Sequence, residues 1–104
     1  MAKVKAAFIF MVPDADPSQH KAIISTPEVL ELIVVGVKDY QQAAQAAKGL
    51  VDQGCKAIEL CGAFGNLGVA KVTQAVENKA SVGVVRFDNN PLLGFKSGDD
   101  IAKT

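Results

Sequence analysis

Glu59 and Cys61 stand in the run Ala57-Ile58-Glu59-Leu60-Cys61, an otherwise apolar stretch in which an acid and a thiol are out of place. A carboxylate buried without a partner costs several kcal/mol or takes up a proton. Glu59 therefore either forms an ion pair, for which Arg86 is the candidate, or acts as a general base or ligand contact. In the second case Arg86 is left to clamp a carboxylate or phosphate. Asp88 shares the parity of Arg86 and is placed to hold it. Cys61 precedes the positive end of a helix, where thiolate is favoured and nucleophilic chemistry becomes available; the alternative is an inert packed thiol. His20, the only histidine, offers acid/base capacity on the same edge unless it is a surface residue. The spacing of His20, Glu59, Cys61 and Asp88 matches no metal-ligand pattern, so no metal is expected.

Next comes Gly62-Ala63-Phe64-Gly65-Asn66-Leu67-Gly68, a G-x-x-G-x-x-G spacing. It is neither the dinucleotide fingerprint nor a P-loop, and no cofactor is implied. Gly62, Gly65 and Asn66 would present backbone N–H groups at a helix start, where phosphate or carboxylate is attracted. On the structural alternative, Gly62 and Gly65 make a tight turn and Gly68 lets the helix approach the sheet closely.

Positioning these groups requires alternating strands and helices. Val4–Val12 is almost wholly apolar and ends at Pro13, as a strand covered on both faces does. Asp16-Pro17 predicts a short helix through His20, Ile23 and Ile24, stopped by Thr26-Pro27. Leu30–Val37 is a second apolar strand. Asp39 should cap a helix whose apolar positions Tyr40, Ala43, Ala44, Ala47, Leu50 and Val51 recur at three and four, with Gly54 as its left-handed stop. A third strand is expected over 55–61, a helix capped by Asn66 using Val69, Val72, Thr73 and Val76, and a fourth strand from Ser81 to Phe87. The prediction is an α/β domain with a four-stranded, mainly parallel sheet covered by helices, flavodoxin-like or part-barrel-like. In such a sheet the C-terminal strand ends collect Pro13-Asp14, Lys38-Asp39, Cys61-Gly62 and Asp88-Asn89 on one edge. Residues 89–104 lack periodicity and should form a lid over that edge or an oligomerisation arm.

Composition narrows the function. The 104 residues, 49% hydrophobic and 21% charged, fit a single globular domain. Eleven basic residues balance eleven acidic ones and no basic cluster occurs, which argues against nucleic acid. Zero net charge gives little protection against self-association, in keeping with a homo-oligomer. No apolar run approaches membrane-spanning length, and Pro13-Asp14 replaces a signal cleavage site, so a cytoplasmic protein is expected. On one strand Cys55 and Cys61 would lie about 20 Å apart, too far for a disulfide.

Ala6-Ala7-Phe8-Ile9-Phe10, Asp16-Pro17…His20, Thr26-Pro27-Glu28, Val34-Val35-Gly36-Val37 and the segment from Ile58 to Asn66 together resemble a family of small microbial proteins classed as a domain of unknown function. Val82–Asp88 and Lys96-Ser97-Gly98-Asp99 extend the resemblance over nearly the whole chain. It implies a complete single domain and carries no mechanism or catalytic residue. From the residues, the expected function is binding of a small anionic metabolite at the C-terminal edge. The alternatives are a small isomerase or lyase using Glu59 or Cys61, and an oligomerising or regulatory protein in which Leu92, Leu93 and Phe95 dock on a neighbour.

Overall fold

A computed structural model describes residues 2–102. Its strands are β1 (Val4–Met11), β2 (Lys21–Ser25), β3 (Leu30–Val37), β4 (Ala57–Leu60) and β5 (Ser81–Val84), and its helices are α1 (Tyr40–Asp52), α2 (Asn66–Val76) and α3 (Gly98–Ile101). The sheet has five strands in the order β2-β3-β1-β4-β5 and is open, with no barrel closure. β1 pairs in parallel with both β3 and β4, and β4 in parallel with β5. The α/β, mainly parallel architecture is thus the one the sequence predicts.

The fifth strand corrects the expected helix over His20, Ile23 and Ile24. Asp16 does start a turn: its Oδ1 accepts from the Ser18 N–H at 2.9 Å and its carbonyl from the His20 N–H at 2.7 Å. The turn does not propagate, because Lys21–Ser25 finds an antiparallel ladder on β3, with Ile23 opposite Ile33. β-branched Ile23 and Ile24 suit that ladder better than a helix. Thr26-Pro27 is accordingly a hairpin connection rather than a helix stop, closed by the Leu30 N–H donating to Thr26 Oγ1 at 2.8 Å. β4 and β5 are also shorter than expected, β4 ending at Leu60 and β5 at Val84.

The two long helices pack against each other over one face of the sheet. Ala7, Ile9, Ile33, Val37, Ile58 and Leu60 project from that face and are buried against Ala43, Ala47, Leu50, Val72 and Val76. Alternation along each strand makes this one parity of the pleat. At the start of α1, Asp39 accepts from the Gln42 N–H at 2.8 Å. Past its end, Gly54 takes φ +99, a left-handed turn that a side chain would strain. α2 begins one residue off the expected cap: Gly65 is its N-cap and Asn66 its first residue. Gly68, on the inner side of α2, lies so close to the Tyr40 ring that a Cβ there would collide with it. The C-terminal segment folds back as a 3₁₀ turn at Pro91–Leu93 followed by α3, which packs on α2. Residues 103 and 104 of the expected tail lie outside the described residues. Among the described residues no helix is long and apolar enough to cross a membrane.

Ile9 is fully buried on the central strand, so Ile9→Ala should lower unfolding free energy by about 2–5 kcal/mol. Urea denaturation, read as a fall in midpoint at unchanged slope, checks this.

Candidate functional site

β1 is flanked by β3 on one side and β4 on the other, with the chain leaving both neighbours for helices. The C-terminal ends of these strands form the crevice where open α/β sheets place ligands. A pocket of about 340 Å³ lies there. Met11 and Val12 at the end of β1, together with Leu93 and Ile101 of the tail, give it apolar walls, and Lys38 and Lys71 also line it. Lys38 comes from the β3–α1 connection and Lys71 from α2, so the cations belong to different elements. Two of the four strand ends expected on this edge contribute to the lining, through Pro13 and Lys38-Asp39, while Cys61-Gly62 and Asp88-Asn89 do not.

One wall of the pocket is held by a carboxylate. Asp99, in the first turn of α3, accepts from the Leu67 N–H at 3.1 Å and 3.0 Å through its two oxygens. It also accepts from the Tyr40 hydroxyl at 2.8 Å, and that hydroxyl in turn accepts from the Gly65 N–H at 3.0 Å. The anion at the N-terminus of α2 is therefore the chain's own Asp99. A carboxylate is favoured there by the helix dipole and by the free N–H groups of the first turn. Tyr40 is buried, its ring stacked on Phe64 at 5.8 Å between centroids. Burial, and next to it the neighbouring Asp99, push the phenol pKa up to about 12 against the lowering pull of the Gly65 N–H.

Glycine is required at two contacts of this wall. A Cβ on Gly65 would run into Asp99, and one on Gly98 into the carbonyl oxygen of Ala63. Ser97 orients α3 through a reciprocal capping box with Asp100. Further back, buried Asn90 anchors the tail: its Nδ2 donates to the Gly62 carbonyl at 3.0 Å and its Oδ1 accepts from the Leu92 N–H at 2.9 Å.

The residues singled out in the sequence are spread more widely. Gly62 and Gly65 lie in the β4–α2 loop as expected, but Gly62 is packed under the Phe87 ring and the Gly65 N–H is engaged by Tyr40. Asn66 is exposed at the start of α2. Glu59 projects from the face of the sheet opposite the helices and is exposed, which removes the need for a buried ion-pair partner. Arg86 pairs instead with Asp88, Nε to Oδ1 at 2.8 Å, as the shared parity suggested. That pair is solvent-exposed and of small energetic consequence. The Cys61 Sγ accepts from the Ala63 N–H at 3.4 Å, and the Nδ1 of His20 accepts from the Asp16 N–H at 2.8 Å. Both cysteines are free thiols; burial pushes the Cys55 thiol pKa up, as befits a packed group. None of Glu59, Cys61, His20, Arg86 and Asp88 lines the pocket.

Tyr40, Asn90, Asp99 and Lys71 are site residues that residue-type reasoning passed over, and Lys38 was expected on this edge without a role. Only Asp99 left a usable signal, the Ser97-Gly98-Asp99-Asp100 helix start, and nothing in it indicates which helix the carboxylate will serve.

The model of the Family of unknown function (DUF6506) matches residues 4–100. The chain belongs to this family. The match spans all five strands and the tail as far as Asp100, so the Asp99 contact falls within the family's extent. No curated protein and no solved structure matches the chain.

Asp99→Ala should leave the Tyr40 hydroxyl, which is partly buried, without its acceptor and cost about 1–3 kcal/mol. The protein's single tyrosine provides a direct readout. Its ultraviolet titration midpoint should lie near 12 in the native protein and move down in the variant, burial still holding it above the ordinary value. In the unvaried protein the folded pKa lies above the ordinary value of 10.0, so Tyr40's contribution is complete below about pH 10 and is lost as pH rises toward about 12. Denaturation midpoints measured between pH 9 and pH 12 should fall across that window.

Proposed function

We propose that this protein binds a small anionic metabolite in the pocket at the C-terminal edge of its sheet. The observation that carries this reading is the placement of Lys38 and Lys71 in an otherwise largely apolar pocket of about 340 Å³ at the sheet's switch point. A cavity of this size suits a small molecule with a compact apolar body. Two ammonium groups from separate elements then select a carboxylate or phosphate head. Asp39, also at the pocket, is committed to capping α1 and leaves the lysines as the groups available to a ligand. The tail acts as the lid in this reading, because Leu93 and Ile101 close the pocket while Asp99 pins α3 in place.

Binding is preferred to catalysis because Glu59, Cys61 and His20 lie on other surfaces and assemble no acid, base or nucleophile at the pocket. The α2 N-terminus is not the anion site in this reading, since Asp99 already fills it.

Native mass spectrometry of gently purified protein, compared with its denatured mass, should reveal a retained small anion. A thermal-shift panel of inorganic phosphate, pyrophosphate and citrate supplies defined probes. A probe at 100 times its dissociation constant should stabilise the protein by about 2.7 kcal/mol. The Lys38→Ala/Lys71→Ala double variant should keep its far-ultraviolet spectrum and lose the shift. A shift of equal size in the double variant, or no retained anion and no response to any probe, counts against the reading.

A further inference from the structure

We propose that the helix-free face of the sheet is the docking surface for a second copy of this chain. The helices cover one parity of the pleat. The other parity carries Phe8, Phe10, Leu32 and Val34 at its centre and Ala22 and Ile24 on the β2 side, and none of these is buried. Ile24 is 59% exposed and Val4, at the start of β1, is 57% exposed. A contiguous apolar patch of this kind marks an interaction site rather than ordinary surface.

Parallel strands make the case stronger. Sheets built from parallel pairs are covered on both faces in nearly all folds, and their strands read as continuous apolar runs. β1 (VKAAFIFM) and β3 (LELIVVGV) are such runs. Their sequences are written for burial on two sides, and a single copy provides it on one.

Size and charge point to a second copy as the occupant. With the observed strand lengths, a spacing of about 4.8 Å and a rise of about 3.3 Å per residue, the strands present roughly 450 Å² of mean sheet plane. Two such faces stacked remove on the order of 1,000 Å² from solvent, the threshold for a specific interface. Among the described residues, Glu59 is the only ionisable strand residue on this face. The face therefore has no charge pattern to select an unlike partner, whereas apolar surface meets its own copy equally well around a two-fold axis. The formal net charge of zero adds no repulsion between copies.

Sedimentation velocity on the full chain tests this. A species of twice the chain mass is expected at micromolar concentration. Leu32→Glu, and independently Ile24→Glu on the exposed edge strand, should weaken it at least tenfold with the far-ultraviolet spectrum and cooperative melt retained. Glu59→Leu should tighten it, because a lone carboxylate no longer has to be desolvated. A chain that stays monomeric at several hundred micromolar overturns the proposal. So does a dimer that survives both charge substitutions but dissociates in Leu92→Ser/Phe95→Ser, which alters the exposed apolar residues of the tail instead.

Discussion

The first turn of an α-helix presents N–H groups with no partner inside the helix, and in this protein one of them is met by a carboxylate from the far end of the chain. Asp99 accepts twice from the Leu67 N–H and once from Tyr40, whose hydroxyl accepts from Gly65. One side chain thereby ties the start of α2, the start of α1 and the tail into a unit. The α3 wall of the pocket depends on it, while Asn90 separately anchors the 3₁₀ turn through the Gly62 carbonyl. Tyr40 and Phe64 supply an apolar backing on one side, and the Gly65–Tyr40 hydrogen bond is the buried member of the set.

This arrangement changes the meaning of the glycine-rich loop. A loop with glycines at its bends and a helix behind it has the form of an anion site, and an anion does occupy it. The anion is internal. Close approach of Asp99 to Gly65 and of Gly98 to the Ala63 carbonyl explains the glycines there as packing requirements of the C-terminal segment. Lys38 and Lys71 line the pocket, and the functional proposal rests on their positive charge.

The two faces of the sheet also divide the roles of the molecule. The helix-covered face holds the core, and its edge carries the pocket. The opposite face carries Phe8, Phe10, Leu32 and Val34 with Glu59 beside them. Glu59 drew attention in the sequence as a misplaced acid in a buried strand. Pleating resolves this, because every second residue of β4 faces the uncovered side and an acid there is solvated.

Local pattern alone determined the α/β class, the mainly parallel sheet, the limits of β3, the Asp39 cap and the Gly54 stop of α1, because each is decided by residues within a few positions of one another. Arg86 and Asp88, two residues apart, belong with these. Tertiary structure decided the rest. Whether Lys21–Ser25 became helix or strand depended on the free edge of β3, which a five-residue window does not contain. The side of β4 on which Glu59 lies depended on which parity the helices cover. The Asp99–Leu67 contact spans 32 residues and the Tyr40–Asp99 contact 59. Local propensity carries no information about such pairs: they form only when sheet order and helix packing have brought the tail back over the strand ends.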